Sequence, residues 1–592
     1  QEITPAGQRQ VLFEQRLPTP VYKWEEVAVY DGTLAGPAVI YNPFTSLVIN
    51  PGWQVHSAAG SLVIHREEKP TPQAGRPARQ PALQEVALTL YANRFKSVAE
   101  RMGTLLQRTA LSVNIKERLD FSCALLDREG RLVVNAPHIP VHLGSLGICT
   151  RKVVAALPLG KGDVAITNHP AYGGSHLPDV TLIAPVFAAN QLIGYVANRA
   201  HHAEIGGKAP GSMPADATSL AEEGVVISPT LLMKSGQPQW AAIEKILTSA
   251  PYPSRATADN LTDFQAALAS IIEGQKAMQE LTAKYGSSQV IDYMQQLAGL
   301  ASQNLTDSLH ALNNDRWQAT EYLDDGSRLQ VAINWQNEVL HIDFSGTAAT
   351  HPGNLNATEA IVNGAVIYVL KLLTDKEIPL NEGLMHNVRL HIPSDSLLNP
   401  HFDNNPQACP AVVGGNTEVS QRLVDTLLKA FGLAACSQGT MNNLLFGNAR
   451  FGYYETIGGG SGAGPGFAGA SGVHQHMTNT QITDAEVLEH RYPVQLLAFA
   501  LRPGSGGAGH WPGGDGLVRQ IRFLEPVTLT LLTQHRQQAP YGLAGGQPGK
   551  TGRQYLRHPD GSREELPGIG TWHLQAGTEV TICTPGGGGY GR

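Results

Sequence analysis

The feature that most constrains this chain is a strand, turn and strand between residues 179 and 201. VTLIAPVF and LIGYVANRA are β-type runs flanking the turn Ala188-Ala189-Asn190-Gln191. Opposed residues in an antiparallel hairpin have a constant sum of positions. A turn centred near 189.5 to 190 gives 379 to 380, so Asp179 faces His201, with Cβ atoms roughly 5 Å apart. His176 lies three residues before Asp179, and Pro178 keeps Leu177 extended, so the segment enters its strand from a turn and not from a helix. Two imidazoles and one carboxylate therefore converge.

Such a set with open positions suits a divalent metal, Mn²⁺, Fe²⁺ or Zn²⁺, and a water on the free position becomes a nucleophile near neutral pH. A single histidine reads first as a packed or hydrogen-bonded residue, but the opposition across the hairpin favours ligand roles for His176, Asp179 and His201. His138, His142, His169 and His202 crowd the same stretch (APHIPVHLG, NHPAYGGSHLPD, RAHHAEIGG), and each stays closer to the packed reading. Asp120, just before a strand, is either a base or a turn residue. Asp120 and His142 are the candidate catalytic side chains beside the metal set.

Around this stretch the organisation is α+β. Residues 1–66 alternate short β-type runs with Gly/Pro turns, a small β unit. Residues 67–83 (EKPTPQAGRPARQPAL within them) read as a Pro-rich linker. A large mixed domain, 84–592, follows. It opens with a helix over about 84–110 and a hairpin in FSCALLDREGRLVVNAP, and continues with helices over about 257–284 and 287–315 and strands over 317–345. Helices near 357–374 and 417–431 come next, and from about 450 strands alternate with Gly-rich loops. No solenoid repeat occurs, and the order of elements favours antiparallel hairpins with long helices over a doubly wound sheet.

With 43 Lys+Arg against 50 Asp+Glu, a net charge of −7, no nucleic-acid surface is expected. Charged residues are 16% of the chain, below the roughly 25% usual for soluble domains, so part of the surface is expected to face protein in a homo-oligomer. No apolar run approaches the roughly 18 residues that span a bilayer, and QEITPAGQRQ lacks a signal-peptide pattern. The expected location is the cytoplasm. Five cysteines, odd in number and without CxxC, read as buried thiols. GGGSGAGPG (458–466) has neither a Walker Lys-Ser/Thr nor GxGxxG spacing, and reads as a flexible or closely packed loop. RPGSGGAGHWPGGDG and TPGGGGYG let backbones approach each other or a ligand. No nucleotide-binding motif occurs anywhere.

The strings SVNIKERLDFSCALLDREGRLVVNAPHIPVHLGS, NHPAYGGSHLPDVTLIAPVF, RAHHAEIGGKAPGSMP, YYETIGGGSGAG, MTNTQITDAEVLE, GSGGAGHWPGGDGLVRQIRFLEP and TPGGGGYG resemble the hydantoinase B family over essentially all of residues 83–592. Asn168-His169-Pro170 with Ser175-His176-Leu177-Pro178-Asp179 is more similar to the ATP-dependent 5-oxoprolinases than to separate hydantoinase B subunits. The first 66 residues, with GPAVIYNPFTSLVINPGW, resemble the C-terminal tail of a hydantoinase A half. The resemblance implies a cyclic-amide hydrolase in which an A-type half, using ATP and Mg²⁺, phosphorylates the lactam oxygen and this half opens the activated ring to glutamate. It implies that A-type half as partner and a small lactam as substrate. The metal-bearing subunit of acetone carboxylases has His-x-x-Asp followed 22 residues later by His, and His176, Asp179 and His201 match that spacing. The resemblance also places Asp120 in a strongly patterned ERLDFS segment, where it would hold or deprotonate the attacking water. An N-methylhydantoinase, a ketone carboxylase subunit, and a non-catalytic assembly half with a structural metal are the competing readings.

Overall fold

The computed structural model describes residues 3–13, 15–58, 61–66, 80–136, 139–374 and 379–592. Contacts divide the chain into Gln1–Leu83 and Gln84–Arg592. In the first unit the strands Gly7–Leu12, Arg16–Lys23, Ala38–Tyr41 and Ser46–Ile49 form one sheet, and Thr33–Ala35, Trp53–Ala58 and Ser61–Arg66 a second. Val27, Ala38, Ile40, Ile49 and Val55 make its small core.

The second unit opens on helix α1 (Gln80–Thr109). This helix starts inside the stretch expected to be linker. Pro81 falls in its first turn, where a missing N–H has no helical partner to lose. The remainder of that expected linker, 67–79, lies outside the described residues. The centrepiece is an antiparallel sheet of β1 (Phe121–Asp127), β2 (Leu132–Asn135), β3 (Val164–Thr167), β4 (Asp179–Ala188), β5 (Gln191–His201) and β6 (Thr230–Lys234), with the short Gln237–Pro238 at one edge. Its spatial order runs from that edge through β6, β3, β4, β5 and β1 to β2. The β4–β5 pairing sets Asp179 opposite His201 and Ala188 opposite Gln191, with one register shift between Val186 and Phe187.

Both faces of this sheet are covered, so its central strands are apolar throughout rather than alternating. Val180, Leu182, Ala184, Val186 and Val196 pack with Phe264, Ala267 and Ile271 of helix α3 (Thr257–Tyr285). Ile183, Tyr195, Ala197, Ala124 and Leu126 pack with Leu146, Cys149 and Val153 of helix α2 (Ser145–Ala156). Side chains two apart share a face. Asp120, Ser122, Asp179, Thr181, Arg199 and His201 therefore belong with the α2 layer, and His202 with the α3 layer.

Helix α2 is absent from the sequence reading, because SLGICTRKVVAA mixes β-branched residues and glycine and has weak helix propensity. Leu146, Cys149 and Val153, spaced three and four apart, nevertheless give it one apolar stripe. Helix α4 (Ser287–His310) ends five residues before its expected limit, where Asn313, Asn314 and Asp315 compete for the backbone. A second core joins helices α5 (Glu359–Leu372) and α6 (Ser420–Phe431) to the strands Arg316–Tyr322, Arg328–Gln336 and Val339–Asp343. A five-residue π turn, Gly415–Val419, leads into α6. The C-terminal region pairs β7 (Asn443–Gly447) with β8 (Gly452–Glu455) and builds a third core in two further sheets. All five cysteines are buried and unpaired.

The glycine loops pack on one another. Gly586, Gly587, Gly588 and Gly589 donate in turn to the carbonyls of Lys550 (3.2 Å), Gly514 (2.9 Å), Cys436 (2.8 Å) and Gln547 (2.9 Å). Residues three apart thus bond the same neighbouring segment, the periodicity of extended polyproline-II-like chains. A Cβ built on Gly587 would lie 1.9 Å from the carbonyl oxygen of Ser461, and one on Gly514 would lie 1.9 Å from that of Ala470. The backbone amides are used between segments, which excludes a phosphate cradle as the first role of these loops.

Candidate metal centre

Three strand ends and one turn build the centre. His176 precedes β4 in a tight turn closed by the Asp179 amide donating to the His176 carbonyl (3.1 Å). Asn168 fixes the start of this loop, its amide donating to the carbonyls of Leu177 (2.8 Å) and Val225 (2.9 Å). Asp179 opens β4 and His201 closes β5, where its amide donates to the Asp120 carbonyl (3.0 Å). The result is a compact triangle: His176 Nδ1 lies 3.3 Å from Asp179 Oδ2, His201 Nδ1 3.4 Å from Asp179 Oδ1, and His176 Nε2 3.2 Å from His201 Nδ1. One ligand atom from each residue falls within 4.8 Å of the others.

All three residues are at least 98% buried. Burial pushes His176 down to about 3, so its imidazole is neutral at physiological pH. Burial alone would raise Asp179, but His176 and His142 beside it hold its carboxyl well below the usual carboxylate range. A neutral imidazole at His176 and an ionised carboxylate at Asp179 are protonation states that a bound metal requires. His176 Nδ1, Asp179 Oδ1 and His201 Nε2 are buried without hydrogen-bond partners. An unpaired buried polar atom costs about 1–3 kcal/mol, so three in one cluster fit a bound ion far better than a packed core.

His142 stands in the turn before α2, its Nε2 3.1 Å from Asp179 Oδ2 and its Nδ1 3.0 Å from Ser122 Oγ. Both ring nitrogens thus meet protein, and Ser175 Oγ donates to Asp179 Oδ2 at 2.5 Å. Asp120 Oδ2 lies 3.8 Å from His201 Nδ1. Beyond the His142 turn, a cavity of about 620 Å³ is lined in part by Pro140, Tyr368, Phe467, His474, His476 and Thr478.

The other histidines separate from the cluster. His169 caps a short turn, its Nδ1 accepting from the Ala171 amide (3.1 Å). His202 faces α3, packing edge-on to Phe264 with its Nδ1 3.4 Å from the Asn260 side-chain nitrogen. His138 lies outside the described residues. Sequence reasoning missed the stack above the centre: the Tyr454 ring from β8 lies on His201 at 5.0 Å and 18°, and the Arg118 guanidinium covers the other end of that contact, 4.7 Å from the Tyr454 ring centre. Arg118 lies two residues before Asp120 in the sequence, but nothing local points to Tyr454.

The profile of the hydantoinase B/oxoprolinase family matches residues 84–592. The chain is 42% identical to 5-oxoprolinase 1 of Arabidopsis thaliana, over 100% of this chain and 48% of that protein. It is 39% identical to the 5-oxoprolinase of Dictyostelium discoideum, over 100% and 47% respectively. The chain thus spans about half the length of the curated relatives it matches. Among solved structures, an ATP-dependent caprolactamase from Pseudomonas jessenii shares the fold, with a TM-score of 0.76 at 24% identity, covering 86% of this chain and 91% of that one. On the strength of a match through both the sheet that carries the centre and the glycine-rich C-terminal region, this chain belongs to the hydantoinase B/oxoprolinase family.

Proposed function

We propose that this chain is the ring-opening half of an ATP-dependent cyclic-amide hydrolase, with 5-oxo-L-proline as substrate and L-glutamate as product. The observation that carries the reading is the buried triangle of His176, Asp179 and His201 with its three unpaired ligand atoms, in a chain related to half of the 5-oxoprolinases. An amide carbon is a poor electrophile. Transfer of a phosphoryl group from ATP to the lactam oxygen, in a hydantoinase A-type partner half with Mg²⁺, makes that carbon open to attack. Water then adds, the C–N bond breaks, and its electron pair and a proton go to nitrogen. The acyl phosphate this leaves is hydrolysed by a second water, so lactam, ATP and two waters give the amino acid, ADP and phosphate.

Within this chain His176, Asp179 and His201 would hold a Mn, Zn or Fe ion, which supplies Lewis acidity and lowers the pKa of water. His142 and Ser175 fix the Asp179 carboxylate from outside the triangle, the kind of support that orients a ligand. Asp120, beside His201, would orient the attacking water and accept its proton. The low charged fraction supports an oligomeric complex of the two halves. Among the described residues no helix is long and apolar enough to cross a membrane.

The test is an ATP-dependent 5-oxoproline assay combined with metal analysis, on the chain alone and with an A-type half. The expected result is a metal-bearing chain that turns over neither ATP nor 5-oxoproline alone, with both activities restored by the partner. ATPase activity in the isolated chain, or full lactam opening after its metal is stripped, would overturn the division of labour.

A further inference from the structure

Hydrogen bonds fix the orientation of His142 and Asp179. The two ring nitrogens of His142 meet Ser122 and Asp179, and Asp179 is held by His142 and Ser175. The His201 ring is different. Its Nε2 has no partner, and its Nδ1 approaches His176, Asp179 and, at 3.8 Å, Asp120. Among the described residues no hydrogen bond from outside this cluster reaches the ring. A histidine that binds metal ordinarily gives its second ring nitrogen to a carboxylate, a carbonyl or water, and that bond sets the ring. What His201 has in its place is a flat face, the Tyr454 ring at 5.0 Å and 18°.

Tyr454 is buried on β8 and is itself held in place. Its hydroxyl donates to Asn443 Oδ1 (3.0 Å), and Asn443 Nδ2 donates to the Leu532 carbonyl (2.7 Å) and to Glu418 Oε1 (2.6 Å). Glu418 also accepts from the Met441 amide (3.3 Å), and both Asn443 and Glu418 are fully buried. The Arg118 guanidinium lies 4.7 Å from the ring centre, fixed by Thr456 Oγ1 (3.2 Å) and Thr480 Oγ1 (3.3 Å). Glu418 belongs to the π turn Gly415–Val419, a rare backbone geometry that recurs at functional sites. Close backbone packing pins that turn. A Cβ built on Gly415 would lie 1.9 Å from the Asn356 carbonyl oxygen, and the Gly414 amide donates to the Asn354 carbonyl (2.8 Å). A chain of buried contacts thus runs from the π turn through Glu418, Asn443 and Tyr454 to His201.

We infer that Tyr454 is a positioning residue of the centre: its ring, anchored through Asn443 to Glu418 of the π turn, fixes the plane of the His201 imidazole in place of a hydrogen bond. A stack restrains the tilt of the imidazole and leaves both of its nitrogens open. The negative face of the phenol ring also favours an imidazole made more positive by a bound cation. The inference rests on the proposed metal site and goes beyond it, because Tyr454 offers no ligand atom to the triangle and acts through His201 alone.

The test uses the full chain and reads metal rather than turnover. Mn²⁺ affinity is measured by calorimetry, and the visible absorption of the Co²⁺-loaded chain reports the geometry of the ligands. Tyr454→Met fills the space without a flat face. It should weaken Mn²⁺ by about 10–100-fold, the usual loss when a group that orients a ligand is removed, and alter the Co²⁺ spectrum. Tyr454→Phe keeps the ring and should stay within about threefold of the wild-type affinity, with the wild-type Co²⁺ spectrum. Wild-type Mn²⁺ affinity in a folded Tyr454→Met chain, or an equal loss in Tyr454→Phe, overturns the inference and leaves the metal site standing; failure of the wild-type chain to bind Mn²⁺ overturns both. Where Tyr454→Met does not fold, a crystal structure of the wild-type chain loaded with Zn²⁺ decides. A Tyr454 ring still stacked on His201 supports the inference, and a ring swung out of contact overturns it.

Discussion

The candidate metal centre and the glycine bundle are built on opposite logics. At the centre the contribution comes from side chains: two imidazoles, two carboxylates, a stacked phenol and the guanidinium group over it, carried by the segments entering β1 and β4, the end of β5 and strand β8. In the bundle the contribution is the missing side chain, because backbones approach so closely that a methyl group would overlap a neighbouring carbonyl. The difference teaches where each region is vulnerable. Taking atoms away should disable the centre and spare the fold, and adding atoms should destroy the bundle and with it everything the bundle supports.

The largest effect should come from adding one methyl group. Gly587→Ala forces a Cβ to 1.9 Å from the Ser461 oxygen, and the three nearest atoms are all backbone of Ser461 and Gly462, with no flexible side chain to yield. Overpacking of this kind costs about 3 kcal/mol or more, and the expected outcome is loss of soluble, cooperatively melting protein, read by yield and thermal scanning. A stable, fully folded Gly587→Ala protein would break the comparison. Next, Asp179→Ala should leave a folded chain whose metal content, read by elemental analysis, falls to background, and whose lactam opening with the partner half disappears. Retained metal there would remove Asp179 from the ligand set.

Asp120→Asn should be milder, keeping much of the hydrogen-bonding shape but not the capacity to take a proton. Turnover should fall by about 10²–10⁴-fold with metal content and melting unchanged, and near-normal turnover would leave Asp120 a structural role alone. The smallest effect sharpens the glycine side. Gly299, inside helix α4, has nothing within 4 Å of a built Cβ, so Gly299→Ala should raise stability by about 0.5–1 kcal/mol, measured by denaturant titration. Destabilisation there would mean that glycines outside the bundle also serve close packing.

What was legible in the sequence was local. The opposition of Asp179 and His201 follows from a count along one hairpin, and the antiparallel pairing realises it. The period-two rule also separates His201 from its neighbour His202. The Tyr454 stack was not legible, because 253 positions of chain separate it from His201 and only tertiary packing joins them. Helix α2 was hidden by its β-branched residues, whose propensity is overridden once Leu146, Cys149 and Val153 meet the sheet. The glycine loops announced close approach without saying to what. That answer depends on three segments far apart in sequence, at 436, 514 and 547–550, meeting around residues 586–589.

The register shift between Val186 and Phe187 carries a consequence for how this hairpin tolerates error. Loss of Ile193, the residue it leaves unopposed, would keep Val186 against Gly194 and His201 against Asp179. Loss of Tyr195 would instead bring His202 opposite Asp179, so the slipped strand would still offer an imidazole to the proposed site. Chemistry alone therefore does not reject the slip. Packing does: the same shift would move Ala200 into the place of Arg199 and Val196 into that of Tyr195, turning the strand's inner and outer residues over together. Fidelity at the candidate site is enforced from the apolar middle of the strand, by residues that lie outside it.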